Sequence, residues 1–317
     1  MRYTRLPHGW KGNTNMKFTA RRDTLNANLS LGLLVPAVLA LVACVNMSPA
    51  TSASSNSPML TRERIAEILA SPDRTAADRN NDIRRKPDQT LAFIGVRMGM
   101  VALDLSAGGG YTTELLARAV GPAGRVYGQS APRGPEGAAR PPVAPEGNSA
   151  PTAPSARAAP LSPPAPAVRR TSAEALAERA RNPLAGNIVP VVRKFEDPIP
   201  AEVAAGGLDL VTLMFNYHDL GHMGVERASM NKAVFAALKP GGMFVIADHS
   251  GRPGTGISES GTLQRIEEVF LRQEVEAAGF KLADQGNFLR NPSDPRDKNT
   301  PEPPQPKDEF VLKFVKP

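Results

Sequence analysis

The stretch that most narrows the choice of fold is LDLSAGGGYTTELL, residues 103–116. An apolar run typical of a buried strand meets an acid, passes through three consecutive glycines, and enters a segment with helical apolar spacing. A glycine turn between a strand and a helix lets backbone approach a ligand closely and aims the first N–H groups of the helix at it. Such turns belong to α/β domains in which strands and helices alternate. Gly108 and Gly110 give G-x-G, but Thr113 stands where a dinucleotide loop needs its third glycine. Pyrophosphate binding is therefore disfavoured.

The alternation continues along the chain. Helical patterns fill 60–95, with Pro87 suited to a first turn. Strands are predicted over 100–106, 125–129, 188–195, 208–215, 243–248, 281–289 and 310–315. Helices are predicted over 111–120, 172–181 and 226–238, and within 261–279. KPGG at 239–242 reads as a helix stop and turn, and the Pro-rich loop 290–309 is expected to hold no regular element. Residues 131–170 interrupt the series with eleven prolines and eleven alanines. Such a segment cannot bury enough apolar surface to offset its ordering entropy, which predicts a disordered, inert insertion.

A formal charge of +7 first suggests a nucleic-acid partner. The distribution argues against one. Residues 1–43 hold Arg2, Arg5, Lys11, Lys17, Arg21 and Arg22 against Asp23 alone, so five of the seven net charges lie in a leader. No basic-aromatic motif follows. From Met16 the leader is basic, then apolar over 29–43, and too short for a comfortable membrane span. Cys44, the only cysteine, follows Leu41-Val42-Ala43. This resembles the bacterial lipoprotein signal, which implies lipidation of Cys44 and a periplasm-facing place in the cell envelope, held to the membrane through a lipid anchor only. The other reading is an ordinary signal peptide or anchor with an incidental cysteine. The expected organisation is a leader over 1–44, a flexible tether over 45–58 and one domain over 59–317.

Several pieces in order, VALDLSAGGGYTTELLARAVGPAGRVYG, LDLVTLMFNYHDL, ALKPGGMFVIADHS, EEVFLRQEVEAAGFKL and FVLKFVKP, resemble the class I S-adenosylmethionine-dependent methyltransferases, nearest to predicted methyltransferases of bacterial envelopes. The resemblance covers about 60–317. It implies a doubly wound α/β domain, Rossmann-like, whose seven-stranded sheet runs 3-2-1-4-5-7-6 with strand 7 antiparallel. It implies S-adenosylmethionine as cofactor and a small-molecule acceptor. Asp104, Ser106, Gly108 and Gly110 would line the methionine and ribose portion, Ser106 departing from the family's glycine. Gln129, with Ser130 beside it, stands where the family places a ribose-gripping acid. A neutral amide forgoes a charge-assisted component of about 1 kcal/mol. Glu196 and Asp197 would lie toward the adenine amine, and Asn216 joins the cofactor side.

Three of the four histidines, His218, His222 and His249, follow the fourth and fifth strands, where open α/β sheets bind ligands. Asp219 and Asp248 flank them, and Tyr217 precedes them. The cluster suits acid/base work or orientation of an acceptor, loop hydrogen bonding, or metal ligation. His249 is the preferred base, oriented by Asp248 or Asp219; Tyr217 reads as an aromatic wall or as core. Export away from the cofactor's place of synthesis, with Ser106 and Gln129, supports an alternative: a non-catalytic envelope lipoprotein that retains the fold and binds another small ligand or partner.

Overall fold

A computed structural model describes residues 58–132, 170–301 and 305–317. The leader, the tether up to residue 57 and positions 133–169 of the insertion lie outside the described residues. Three helices open the described chain: α1 (Arg62–Ala70), α2 (Ala76–Arg85) and α3 (Pro87–Ile94). Thr61 and Thr75 cap α1 and α2 by accepting the N–H groups of Arg64 and Asp78, and Pro87 begins α3 where no N–H is needed.

The alternating region then runs β1 (Val101–Leu105), α4 (Tyr111–Val120), β2 (Arg125–Ser130), α5 (Ser172–Arg179), β3 (Ile188–Val192), β4 (Leu208–Met214), α6 (Asp219–His222), α7 (Arg227–Ala237), β5 (Leu238–His249), α8 (Glu268–Ala277), β6 (Lys281–Gly286) and β7 (Glu309–Val315). One seven-stranded sheet has the order β3-β2-β1-β4-β5-β7-β6. β7 is antiparallel to both neighbours, while the β1–β5 pairings are parallel. This is the sheet that the methyltransferase resemblance implies.

β1 and β4 are largely apolar on both faces, Asp104 and Thr212 being buried exceptions, because helices cover both sides of a parallel sheet. Leu103 and Leu105 of β1 face a core shared with α7 and α8. Ala102 faces the opposite core, built with α1, α3, α4 and Leu176 of α5. Asp104 shares that second side by the two-residue period of the strand. The register sets Asp104 opposite Thr212 of β4 and Gly128 of β2.

Three elements differ from the sequence expectation. KPGG lies inside β5, where the ladder with β4 steps from Leu208–Leu238 to Leu210–Met243 and the residues between bulge out. The helix expected within 261–279 is only Glu268–Ala277. Before it, Gln264 takes a left-handed φ of 55°, and the fully buried Arg265 donates to the carbonyls of Ser250 and Lys298 and pairs with Asp294. A helix could not place that guanidinium between two loops. The third difference is α6, four residues that no sequence period announces. As expected, 290–308 holds no helix or strand among its described residues.

Candidate active site

The glycine loop begins with backbone strain. Ser106 has φ +54°, a left-handed value natural to glycine and costing a serine about 1–2 kcal/mol. Its N–H donates to Gln129 Oε1 at 3.0 Å, and Gln129 Nε2 donates to the Arg193 carbonyl at 2.7 Å. Gln129 is fully buried. Its amide therefore stitches the loop to the end of β3. Ser130, next along, sits 3.5 Å from the Val191 carbonyl.

Gly108 and Gly110 serve different ends. At Gly108 (φ +54°) the nearest atom to a would-be Cβ is 3.8 Å away, so the loop is open on that side. At Gly110 (φ +81°) a Cβ would come within 2.8 Å of both Leu176 and Arg179 on α5. That glycine makes room for a helix. Arg179 completes the contact: Nε donates to the Gly109 carbonyl at 2.6 Å, and the other nitrogens pair with Asp78 and Glu114.

Asp104 spends both oxygens inside the domain, accepting the hydroxyls of Thr113 at 2.6 Å and Thr212 at 2.7 Å. Burial pushes its carboxyl up to about 6, against the pull of those two hydrogen bonds. On the other side of the sheet end, Ala131, Pro132, Lys194, Phe195, Glu196, Met223 and Val225 line an open cleft of about 390 Å³. Glu196 is thus at the cleft, while Asp197 pairs with Arg193 at the surface.

β4 ends in a second strained residue, Phe215 (φ +64°), whose N–H donates to the Ala247 carbonyl at 2.7 Å. The guanidinium groups of Arg84 and Arg85 lie 4.9 and 4.7 Å from its ring centre. The turn that follows delivers the histidines. His218 and His249 are both buried, with ring centroids 5.3 Å apart. Asp248 serves His218: its Oδ1 lies 2.5 Å from His218 Nδ1, and it accepts the backbone N–H groups of His218 and His249 at 2.7 and 2.8 Å. The carboxylate beside the His249 ring is Glu309, not Asp248 or Asp219 as expected. It faces His249 across the β5–β7 ladder, with Nδ1 and Oε1 3.0 Å apart, and accepts from Arg84 Nη1 at 2.5 Å.

Asp219 Oδ1 stands 3.4 Å from His218 Nε2 and 3.9 Å from His222 Nε2, and Oδ2 accepts the Asn216 amide at 2.9 Å. His222 is the half-exposed member. Its N–H donates to Ser260 Oγ at 2.9 Å and its Nδ1 lies 3.0 Å from the same atom, whose hydroxyl donates to the His218 carbonyl at 2.6 Å. Tyr217 stands apart, in the core with α7 and α8. Its hydroxyl donates to Glu274 and accepts from Asn231, and burial beside Glu274 raises its pKa. Among the described residues no group of three or more His, Cys, Asp or Glu is spaced to hold a metal ion.

Arg84, Ser260, Gln264 and Glu309 belong to this site and escaped the sequence. Glu309 lies one residue before the strand read from the apolar pattern. An antiparallel register would have placed it against His249. Arg84-Arg85 reads in sequence as a solvated helix end, and nothing local announces its reach to residue 309.

No protein-family model matches the chain, and no curated protein matches it. Solved structures do. A SAM-dependent methyltransferase from Aquifex aeolicus is 15% identical over 81% of this chain and 100% of its own, with a TM-score of 0.48. A TehB-like SAM-dependent methyltransferase from Corynebacterium glutamicum is 14% identical over 76% and 92%, with a TM-score of 0.43. Aeropyrum pernix fibrillarin, solved with natively bound S-adenosyl-L-methionine, is 17% identical over 69% and 67%, with a TM-score of 0.39. The fold assignment rests on the strand order of the chain itself.

Proposed function

We propose that this protein transfers a methyl group from S-adenosylmethionine to a small-molecule acceptor, with His249 taking a proton from the acceptor where one must leave. The observation that carries this reading is the convergence, at one end of a methyltransferase-type sheet, of an open glycine loop and a buried imidazole 3.0 Å from a carboxylate.

The residues present fit such a cofactor on the loop side. Nothing lies within 4 Å of a Cβ position at Gly109, and Gly108 is nearly as open, so backbone can meet a ligand there. Gly108, Gly109 and the Asn216 amide would hold the methionine and ribose portion; Phe195 and Glu196 would face adenine from the cleft. The cofactor supplies a methyl group already activated as a sulfonium, which leaves the protein the tasks of alignment and exclusion of water. Glu309, which accepts from Arg84, stands 3.0 Å from His249 Nδ1. With Nδ1 turned to Glu309, the base function falls to Nε2. The chain performs this, on our reading, as an envelope lipoprotein anchored through Cys44.

Calorimetric titration of the purified protein with S-adenosylmethionine tests the reading. Binding is expected, and Gly108→Val is expected to remove it while the circular dichroism spectrum stays unchanged. Absence of heat at millimolar ligand would overturn the proposal. One observation favours the second reading, a non-catalytic protein with another ligand: Gln129, at the ribose position, has both ends of its amide committed within the protein.

A further inference from the structure

We propose that His218 is a permanent imidazolium, clamped at both ring nitrogens, and that Gln264 is the positioning residue that keeps it so. The inference stands on hydrogen-bond roles and does not depend on methyl transfer. Both oxygens of Asp248 face N–H donors, Oδ2 the His218 amide and Oδ1 the His249 amide, so His218 Nδ1 meets Asp248 as a donor. At the other end of the ring, Nε2 faces two acceptors. Gln264 Oε1 is 3.3 Å away and Asp219 Oδ1 is 3.4 Å away. The orientation of the Gln264 amide is fixed, because its Nε2 donates to the Ser260 carbonyl at 3.1 Å; flipping it would set oxygen against oxygen. Asp219 is held in turn by the Asn216 amide on its other oxygen.

A neutral imidazole has one N–H and one lone pair. Here a lone pair on either nitrogen would confront an acceptor in a fully buried place, where an unmatched polar contact costs most. Only the doubly protonated ring satisfies both ends. The groups beside it include Asp248 and His249 from β5, Asp219 from α6 and Gln264 from the loop before α8. Gln264 reaches this position from a left-handed backbone, a strain that persists only where the surroundings enforce it. His218 is thus a fixed cation with its ring 5.3 Å from that of His249, and it is removed from the choice of bases.

The test is the ring nitrogen shifts of His218 in the ¹⁵N-histidine-labelled full chain, assigned by loss of its signals in His218→Asn. Both nitrogens are expected to read as protonated from about pH 5.5 to pH 8.5, a window that spans the ordinary midpoint of about 6.5. Gln264→Leu removes one clamp and is expected to bring the midpoint down into that window, while Gln264→Glu restores the doubly protonated signature. An ordinary titration of His218 in the wild type would overturn the proposal, whether or not the variants fold. A Gln264→Leu ring that still shows no titration would remove Gln264 from the role.

Discussion

Asp104 carries its carboxyl where charge is disfavoured, and the consequence is measurable. Its folded pKa of about 6 stands above the unfolded value of about 3.9. Between those values the folded state binds more protons than the unfolded state, so stability is full below about pH 4 and is lost as pH rises through 6. At neutral pH the ionised group costs on the order of 2–3 kcal/mol. Asp104→Asn keeps one acceptor and offers a donor that either threonine hydroxyl can meet by rotating. Urea unfolding of this variant is expected to show greater stability than wild type at pH 7, with the difference shrinking toward pH 4. A variant weaker than wild type at pH 7 would show that the two threonine bonds outweigh desolvation.

At the scale of elements, α5 supports the glycine loop through one side chain. Arg179 bonds the Gly109 carbonyl and joins Asp78 of α2 to Glu114 of α4. Arg179→Ala would leave two largely buried carboxylates without this partner. It is expected to lower unfolding stability by about 2–4 kcal/mol in urea melts. Arg179→Lys should recover less than half, since an ammonium lacks the planar fork that reaches three partners at once. Elements of this kind also mark what was legible in sequence. The strands and the helix of the glycine motif were readable because burial on both sheet faces and the glycine punctuation are local signals. The short helix α6 and the broken start of α8 were not, because distant partners set them: Asp248 and Ser260 hold His218 and His222, and Asp294 holds Arg265. In the site, the histidines and their acids could be placed at one sheet end. Which acid serves which histidine was a matter of register, and register is a property of pairs.

For the whole molecule, the proposal of a lipid anchor is tested at Cys44. Among the described residues no helix is long and apolar enough to cross a membrane. On the lipid-anchor reading, Cys44→Ser is expected to release the protein from the membrane fraction, or to leave it unprocessed, with the domain's melting temperature unchanged; wild-type protein found entirely in cytosol would overturn that reading. Strand order carries one more consequence. β7 is the last strand in the chain, yet it slots between β5 and β6, and its first residue is Glu309. During synthesis the glycine loop, His218, His222 and His249 all leave the ribosome before Glu309, the carboxylate beside the His249 ring. A nascent chain, or one clipped by a protease before residue 309, lacks this carboxylate, so the His249–Glu309 pair comes together only with the last strand of the sheet.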